Sequence, residues 1–179
     1  MFRDVSDLVY GLDELNETIN IIFQTLSPNS FTSHQKLRAA LFKHPWSKMM
    51  AAIDPCVLPG RSFAWNRAMG SHYDTRGPRF DWTPIVAVEA PEGAYVVFHS
   101  LKEVLFFETG SILFLRGSEI SHSILGGAWQ HVPGQRVTIT HFSHESVWNA
   151  KDVKYDWDSD SFASVKKDLG VQTVVELGK

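Results

Sequence analysis

The chain has 179 residues, 44% hydrophobic and 21% charged, with a formal net charge of −3. That length suits one domain with a substantial core, and the balance of charge excludes a general polyanion-binding surface. The single cysteine, Cys56, excludes an internal disulfide and fits a reducing compartment. No apolar run is long enough to span a bilayer, and the start "MFRDVSDLVY" has no signal-peptide core. The expected location is therefore the cytoplasm or nucleus, with no membrane partner.

In chain order, Leu8, Leu12, Leu15, Ile19, Ile22 and Leu26 form one apolar stripe at helical spacing. The spacing predicts a helix capped by Ser6 and ended by Pro28. A second helix is expected over 33–44 with Leu37 and Leu41 inward, and Pro45 opens a third, "WSKMMAAI". "DPCVLPG" (54–60) is a breaker-rich connection. Beyond Gly60 the texture turns β-rich. Strands are expected near 62–69, 71–74, 83–89, 94–99, 103–108, 111–116, 122–125 and 136–142, punctuated by "RGPRFD", "APEG", "ETG", "RGSE" and "GGAWQHVPG". In the tail, "DVKYDWDSDS" reads as a solvated loop, "SFASVKKDL" as a helix and "VQTVVEL" as a last strand. Many short strands behind leading helices make an α+β domain, its β part a sandwich or barrel. One domain is expected over 1–179: helical support at 1–60, a β core at 61–145 and a C-terminal extension at 146–179.

The stretch "MGSHYDTRG" (69–77) sets His72 and Asp74 two positions apart. On a strand, alternate residues share a face, so both side chains reach one ion. A His-x-Asp triplet is common by chance, and its weight depends on a third ligand. His122, in "SEISHSILGG", opens a later apolar strand. Two imidazoles and one carboxylate form a facial set that suits non-haem Fe(II) and leaves positions open. A structural zinc site would more often use four ligands with several cysteines. In "GQRVTITHF" (134–142), Arg136 and Thr138 alternate onto one face. A guanidinium turned into a β core is costly unless it meets an anion, and beside a hydroxyl it suits a carboxylate. The plainer reading of that arginine is an edge-strand charge facing water.

Taken in order, His-x-Asp, a later His and then Arg-x-Thr, the stretch from about Trp65 to Phe142 resembles the double-stranded β-helix core of the Fe(II)/2-oxoglutarate-dependent dioxygenases. "GSHYDTRG … GSILFLRGSEISHSI … GQRVTITHF" is most similar to their compact fungal, TET/JBP-related branch. The chain departs from that branch in having "APEGAYVVF" where many relatives carry a Gly-Gly pair. The resemblance implies a jelly-roll or cupin-like barrel with the N-terminal helices packed on its major sheet. It implies His72, Asp74 and His122 as iron ligands and catalytic centre. Arg136 and Thr138 would bind the distal carboxylate of 2-oxoglutarate, and Asn66 would touch the same cosubstrate. O2 would be the oxidant, a substrate C–H bond the target, and succinate and CO2 the coproducts. The primary substrate stays open between a nucleobase or nucleic acid, a protein side chain and a small metabolite. Two alternatives are a cupin-type metalloprotein that uses no 2-oxoglutarate, which would need no Arg136 clamp, and a non-catalytic binding module on the same barrel. Arg76, Arg79, His99, His131, His141, His144 and Trp129 are secondary candidates whose plainer roles are loop charge or packing.

Overall fold

The computed structural model describes residues 11–43, 45–79, 81–124 and 136–154, except the side chains of 46 and 49–51. The expectations for 1–10, for the loop with Trp129 and His131, and for the tail from 155 lie outside these residues. Among the described residues the chain runs through helices α1 (Asp13–Leu26), α2 (Pro28–Leu41) and α3 (Pro45–Ile53) into eight strands and a short helix. The strands are β1 (Gly60–Trp65), β2 (Met69–His72), β3 (Thr83–Glu89), β4 (Tyr95–Phe98), β5 (Glu103–Phe106), β6 (Ile112–Leu115), β7 (His122–Ile124) and β8 (Val137–Phe142), followed by α4 (Glu145–Ala150). No helix among the described residues is long and apolar enough to cross a membrane.

The strands form two four-stranded antiparallel sheets, β1-β8-β3-β6 (major) and β2-β7-β4-β5 (minor). The pairs β1·β8, β2·β7, β3·β6 and β4·β5 are the rungs of one long hairpin. Contacts β3·β8 and β4·β7 arise because that ribbon is folded over on itself. The helices come first and the sheets after, so the architecture is α+β. No closed barrel forms among the described residues.

Two cores follow from strand alternation. Val86 of β3 and Ile139 of β8 face the helices, where Ile19, Phe23 and Phe31 meet Cys56, Val57 and Leu58. Ile85 and Ala87 face the other way, against Val96, Phe98, Phe107, Leu115 and Ile124 of the second core. The major sheet is thus covered on both faces, which is why β3 reads as a near-continuous apolar run rather than an alternating one.

Several boundaries differ from the sequence-based expectation. α2 starts at Pro28, five residues before Ser33, because proline is well suited to the first helical position, where its missing N–H has no intrahelical acceptor anyway. β1 stops at Trp65 because Asn66 takes a left-handed backbone (φ 46°), and β2 begins at Met69. β2 ends at His72, so Asp74 lies beyond the strand on which His72 and Asp74 were expected to alternate. Its N–H instead donates to the Gly117 carbonyl at 2.9 Å, in the turn after β6.

The connection between helices and sheet is polar and pinned. Arg61 of β1 makes two hydrogen bonds to the Asp54 carboxylate, at 2.5 and 2.6 Å. Arg38 of α2 donates to the Asp54 carbonyl and, at 2.7 Å, to that of Cys56. Asn20 of α1 donates to the Pro55 carbonyl at 2.9 Å and accepts from the Val57 N–H at 3.1 Å.

Candidate metal centre

β2 and β7 are adjacent and antiparallel, with His72 directly opposite His122. The two imidazoles stand 4.3 Å apart between ring centres. A one-residue irregularity in the pairing between Met69 and His72 sets that register. Asp74, held by Gly117, brings its Oδ1 to 3.6 Å from His72 Nε2. One ligand atom from each of His72, Asp74 and His122 lies within 4.8 Å of the other two. No other group of three or more His, Cys, Asp or Glu residues among the described residues is arranged to hold an ion.

Local backbone bonds orient both rings. His72 Nδ1 lies 2.9 Å from the Gly70 carbonyl, and His122 Nδ1 lies 2.9 Å from that of Ile120. A carbonyl only accepts, so each Nδ1 carries a proton, and Nε2 is the nitrogen each ring turns to the cleft as its ligand atom. This is the arrangement that fixes a ligating imidazole from behind. His122 is 3% exposed. Burial lowers its pKa from the ordinary histidine value, with His72 and His99 pushing the same way and the Ile120 carbonyl and Asp74 opposing. The neutral ring favoured by burial is the form that binds a metal.

The three residues line a cleft of about 330 Å³ between the sheets. One wall is Met69 and His72 of β2 with His122 and Ile124 of β7. The other is Ser62 and Ala64 of β1, Thr138 and Thr140 of β8 and Ile85 of β3, all facing inward by alternation. Arg136, one residue before β8, and Thr138 both open onto this cleft and are each 2% exposed. Burial alone pulls the Arg136 pKa down.

Asn66, expected to touch the cosubstrate, directly follows β1. It is not among the residues that line the cleft. Its Oδ1 accepts from the Arg136 N–H at 2.7 Å, while its own N–H donates to the Arg136 carbonyl at 2.8 Å. The Arg136 guanidinium donates to the Arg67 carbonyl. Asn66 therefore clamps the backbone of the arginine. Among the secondary candidates, Arg76 and His144 line the cleft. Arg79 pairs at the surface with Glu119 at 3.1 Å, and His99 Nε2 lies 2.8 Å from Ser123 Oγ. His141 points to the helices and is fully buried.

Sequence reasoning missed a buried polar group at the foot of the cleft. His34 Nε2 of α2 lies 2.9 Å from Asp81 Oδ1. Ser143 donates to Asp81 Oδ2 at 2.8 Å and accepts from Trp148 Nε1 at 2.8 Å. The serine hydroxyl proton is committed to the Asp81 carboxylate, and the serine oxygen to the Trp148 N–H, so the group reads as a structural tie. The group ties α2, the approach to β3, the end of β8 and α4 together. No sequence signal marks it, since its members come from four separate segments.

No family model and no curated protein matches this chain. Among solved structures, NgTET1 in complex with 5mC DNA is similar over 67% of this chain, at 18% identity and a TM-score of 0.43. The matched region covers 45% of that protein, so this chain corresponds to under half of its length.

Proposed function

We propose that the chain is a non-haem Fe(II)/2-oxoglutarate-dependent oxygenase that hydroxylates a C–H bond and releases succinate and CO2. The observation that carries this reading is the convergence of His72, Asp74 and His122, both imidazoles fixed through Nδ1, on one cleft shared with a buried arginine. The donor set fits the ion: two neutral nitrogens and one carboxylate suit Fe(II) and leave coordination positions for other molecules. The winding of the strands supports a jelly roll of the double-stranded β-helix type, since such folds bend a long antiparallel hairpin into two facing sheets. In this reading residues 1–179 are one domain, and the motif resemblance to the TET/JBP-related branch is kept.

His72, Asp74 and His122 would hold the iron, and iron with bound 2-oxoglutarate and O2 supplies the oxidising power for C–H hydroxylation. Arg136 would receive the distal carboxylate of 2-oxoglutarate through its guanidinium fork, recovering part of the cost of burying that charge. Thr138 would donate its hydroxyl proton to the same carboxylate. Asn66 fixes the backbone from which Arg136 projects, a positioning role in place of direct contact. The apolar wall of Met69 and Ile124 would keep water from the reacting centre. Tyr73 and Arg76, where the cleft passes Asp74, would meet the substrate, which is a nucleobase-containing molecule, a protein side chain or a small metabolite.

The test is spectroscopic. Anaerobic protein given Fe(II) should develop the weak visible charge-transfer band of the chelate when 2-oxoglutarate is added. Arg136→Ala should raise the 2-oxoglutarate concentration needed by at least about 30-fold, because loss of one partner of a buried charged pair costs about 2–5 kcal/mol. Folded, iron-loaded protein that gives no band would sink the cosubstrate and favour a cupin-type metal protein. Substrate identity then follows from a screen for coupled succinate release.

A further inference from the structure

The charge that lines the cleft is lopsided. Asp74 and Asp81 are its only acids among the described residues. Asp74 belongs to the candidate metal centre, and the Asp81 carboxylate is taken up by His34, Ser143 and the Trp82 N–H. Three arginines line the same cleft: Arg67, Arg76 and Arg136. Elsewhere the described arginines are engaged, Arg38 with backbone carbonyls, Arg61 with Asp54, Arg79 with Glu119, and Arg116 over the Trp82 ring at 4.6 Å. The Arg76 side chain has no hydrogen bond, ion pair or ring contact among the described residues.

Arg76 stands far from the arginine assigned to 2-oxoglutarate. Arg136 immediately precedes β8, and its guanidinium donates to the Arg67 carbonyl, so both belong to that end. The Arg76 carbonyl accepts from the N–H of Glu145, which lies beyond the other end of β8, at 2.9 Å. A strand of 6 residues separates the two ends, a rise of about 20 Å. 2-Oxoglutarate held at Arg136 is far too short to reach across. His144 lines the cleft at the Arg76 end, its ring 5.0 Å from that of Phe142. The nearby Glu145 lines a separate groove with Arg79 and Lys154. The backbone that carries Arg76 is fixed on both sides, by the Asp74 N–H on Gly117 and by the bond from Glu145.

We propose that the primary substrate is a small acid, whose carboxylate or phosphate pairs with Arg76 while its reacting C–H bond faces the metal centre. The proposal rests on the oxygenase reading and narrows it. A guanidinium fork on a fixed backbone suits a two-oxygen anionic group. A substrate ammonium or guanidinium would find no uncommitted carboxylate in the cleft, which argues against basic protein side chains. A polynucleotide needs a run of cations beyond the cleft to follow its phosphates. The chain is instead net negative, at −3. The neighbouring groove, which shares Pro78 with the cleft, mixes Arg79 and Lys154 with Glu145 and Asp152.

The probes are acetate and inorganic phosphate, titrated into the full chain loaded with Zn(II) and 2-oxoglutarate. Binding is followed by NMR at the backbone amides of Arg76, Gly77 and His144. At least one probe should give saturable shifts with a midpoint of about 1–10 mM. Arg76→Gln should weaken that binding at least about tenfold, as loss of a charged hydrogen-bonding partner does, and leave amide shifts remote from the cleft unchanged. Arg76→Lys should recover part of it. A preference for phosphate assigns a phosphate ester, and a preference for acetate a carboxylic acid. Shifts that do not saturate below about 100 mM overturn the proposal, as does saturation that survives Arg76→Gln. A single-stranded oligomer of about ten nucleotides that displaces phosphate with a steep salt dependence overturns it in favour of nucleic acid. 2-Oxoglutarate binding is measured first, by calorimetry. Its failure counts against the oxygenase reading, and failure of both probes counts against the small acid.

Discussion

Gly117 shows how much of the candidate metal centre is decided by a residue with no chemistry of its own. A Cβ built on it would overlap Asp74 Oδ2 and come within 2.7 Å of Asp74 Cγ. The bare backbone lets the carboxylate lie against the turn while the Gly117 carbonyl receives the Asp74 N–H. Gly117→Ala should therefore push the Asp74 side chain to another rotamer and out of reach of the histidines. The expected result is a 10–100-fold loss of Co(II) or Mn(II) affinity by titration calorimetry, the usual range for a residue supporting a ligand. The melting temperature should stay nearly unchanged, because the displaced group is a partly exposed side chain. Unchanged affinity would show that Asp74 keeps its place without this turn. In the sequence, Gly117 reads only as punctuation in "RGSE". Nothing in a single chain separates a glycine that turns from one that makes room. His72, Asp74, His122, Arg136 and Thr138 were legible because their chemistry stands out against strand patterns. The roles of Asn66 and Gly117 were not, because each depends on a neighbour distant in sequence.

At the scale of elements, strands were read best where both faces are apolar, as in β3, expected and found over Thr83–Glu89. α2 was placed late because its buried face is mixed: Ser30, Ser33 and His34 are buried beside Phe31 and Leu37, so no continuous apolar stripe marks its first turns. α4 is a single short turn of helix whose buried anchor is Trp148, too little for any period. The polar group that fastens these two helices to the sheets gives a test. Removing the Asp81 carboxylate leaves His34 and Ser143 each short of a partner in a buried site. Asp81→Ala should lower unfolding free energy by about 3 kcal/mol. In urea titrations the midpoint should fall with little change in slope. A loss below about 1 kcal/mol would mean the apolar helix contacts alone hold α2 and α4 in place.

For the molecule as a whole, the same buried zone between helices and sheet sets limits on stability at both ends of the pH scale. His141 of β8 stands opposite Arg61 of β1. Burial, reinforced by the Arg61 guanidinium, lowers its pKa from 6.5 to about 4, against weaker opposing effects of Asp54 and the Pro84 carbonyl. The unfolded chain therefore takes up a proton near pH 6.5 that the native chain refuses until about 4. This group's contribution is complete above 6.5, falls as the pH drops toward 4, and is flat below that. The total comes to about 3 kcal/mol, a sizeable share of a typical domain's stability. Cys56, a few residues before Arg61, carries the opposite shift: burial raises its thiol from 9.0 to about 11. The unfolded thiol loses its proton first, so that contribution is complete below pH 9 and fades as the pH rises toward 11. Unfolding free energy against pH should thus hold a plateau between about 6.5 and 9 and decline on either side. His141→Gln should remove up to one proton of acid-side slope relative to the unaltered chain, since the other titrating groups cancel in the difference. Cys56→Ala should flatten the alkaline limb and leave the acid one alone. Parallel acid limbs in the unaltered and His141→Gln proteins would show that His141 accepts its proton while still folded, with the Asp54–Arg61 pair yielding to admit it.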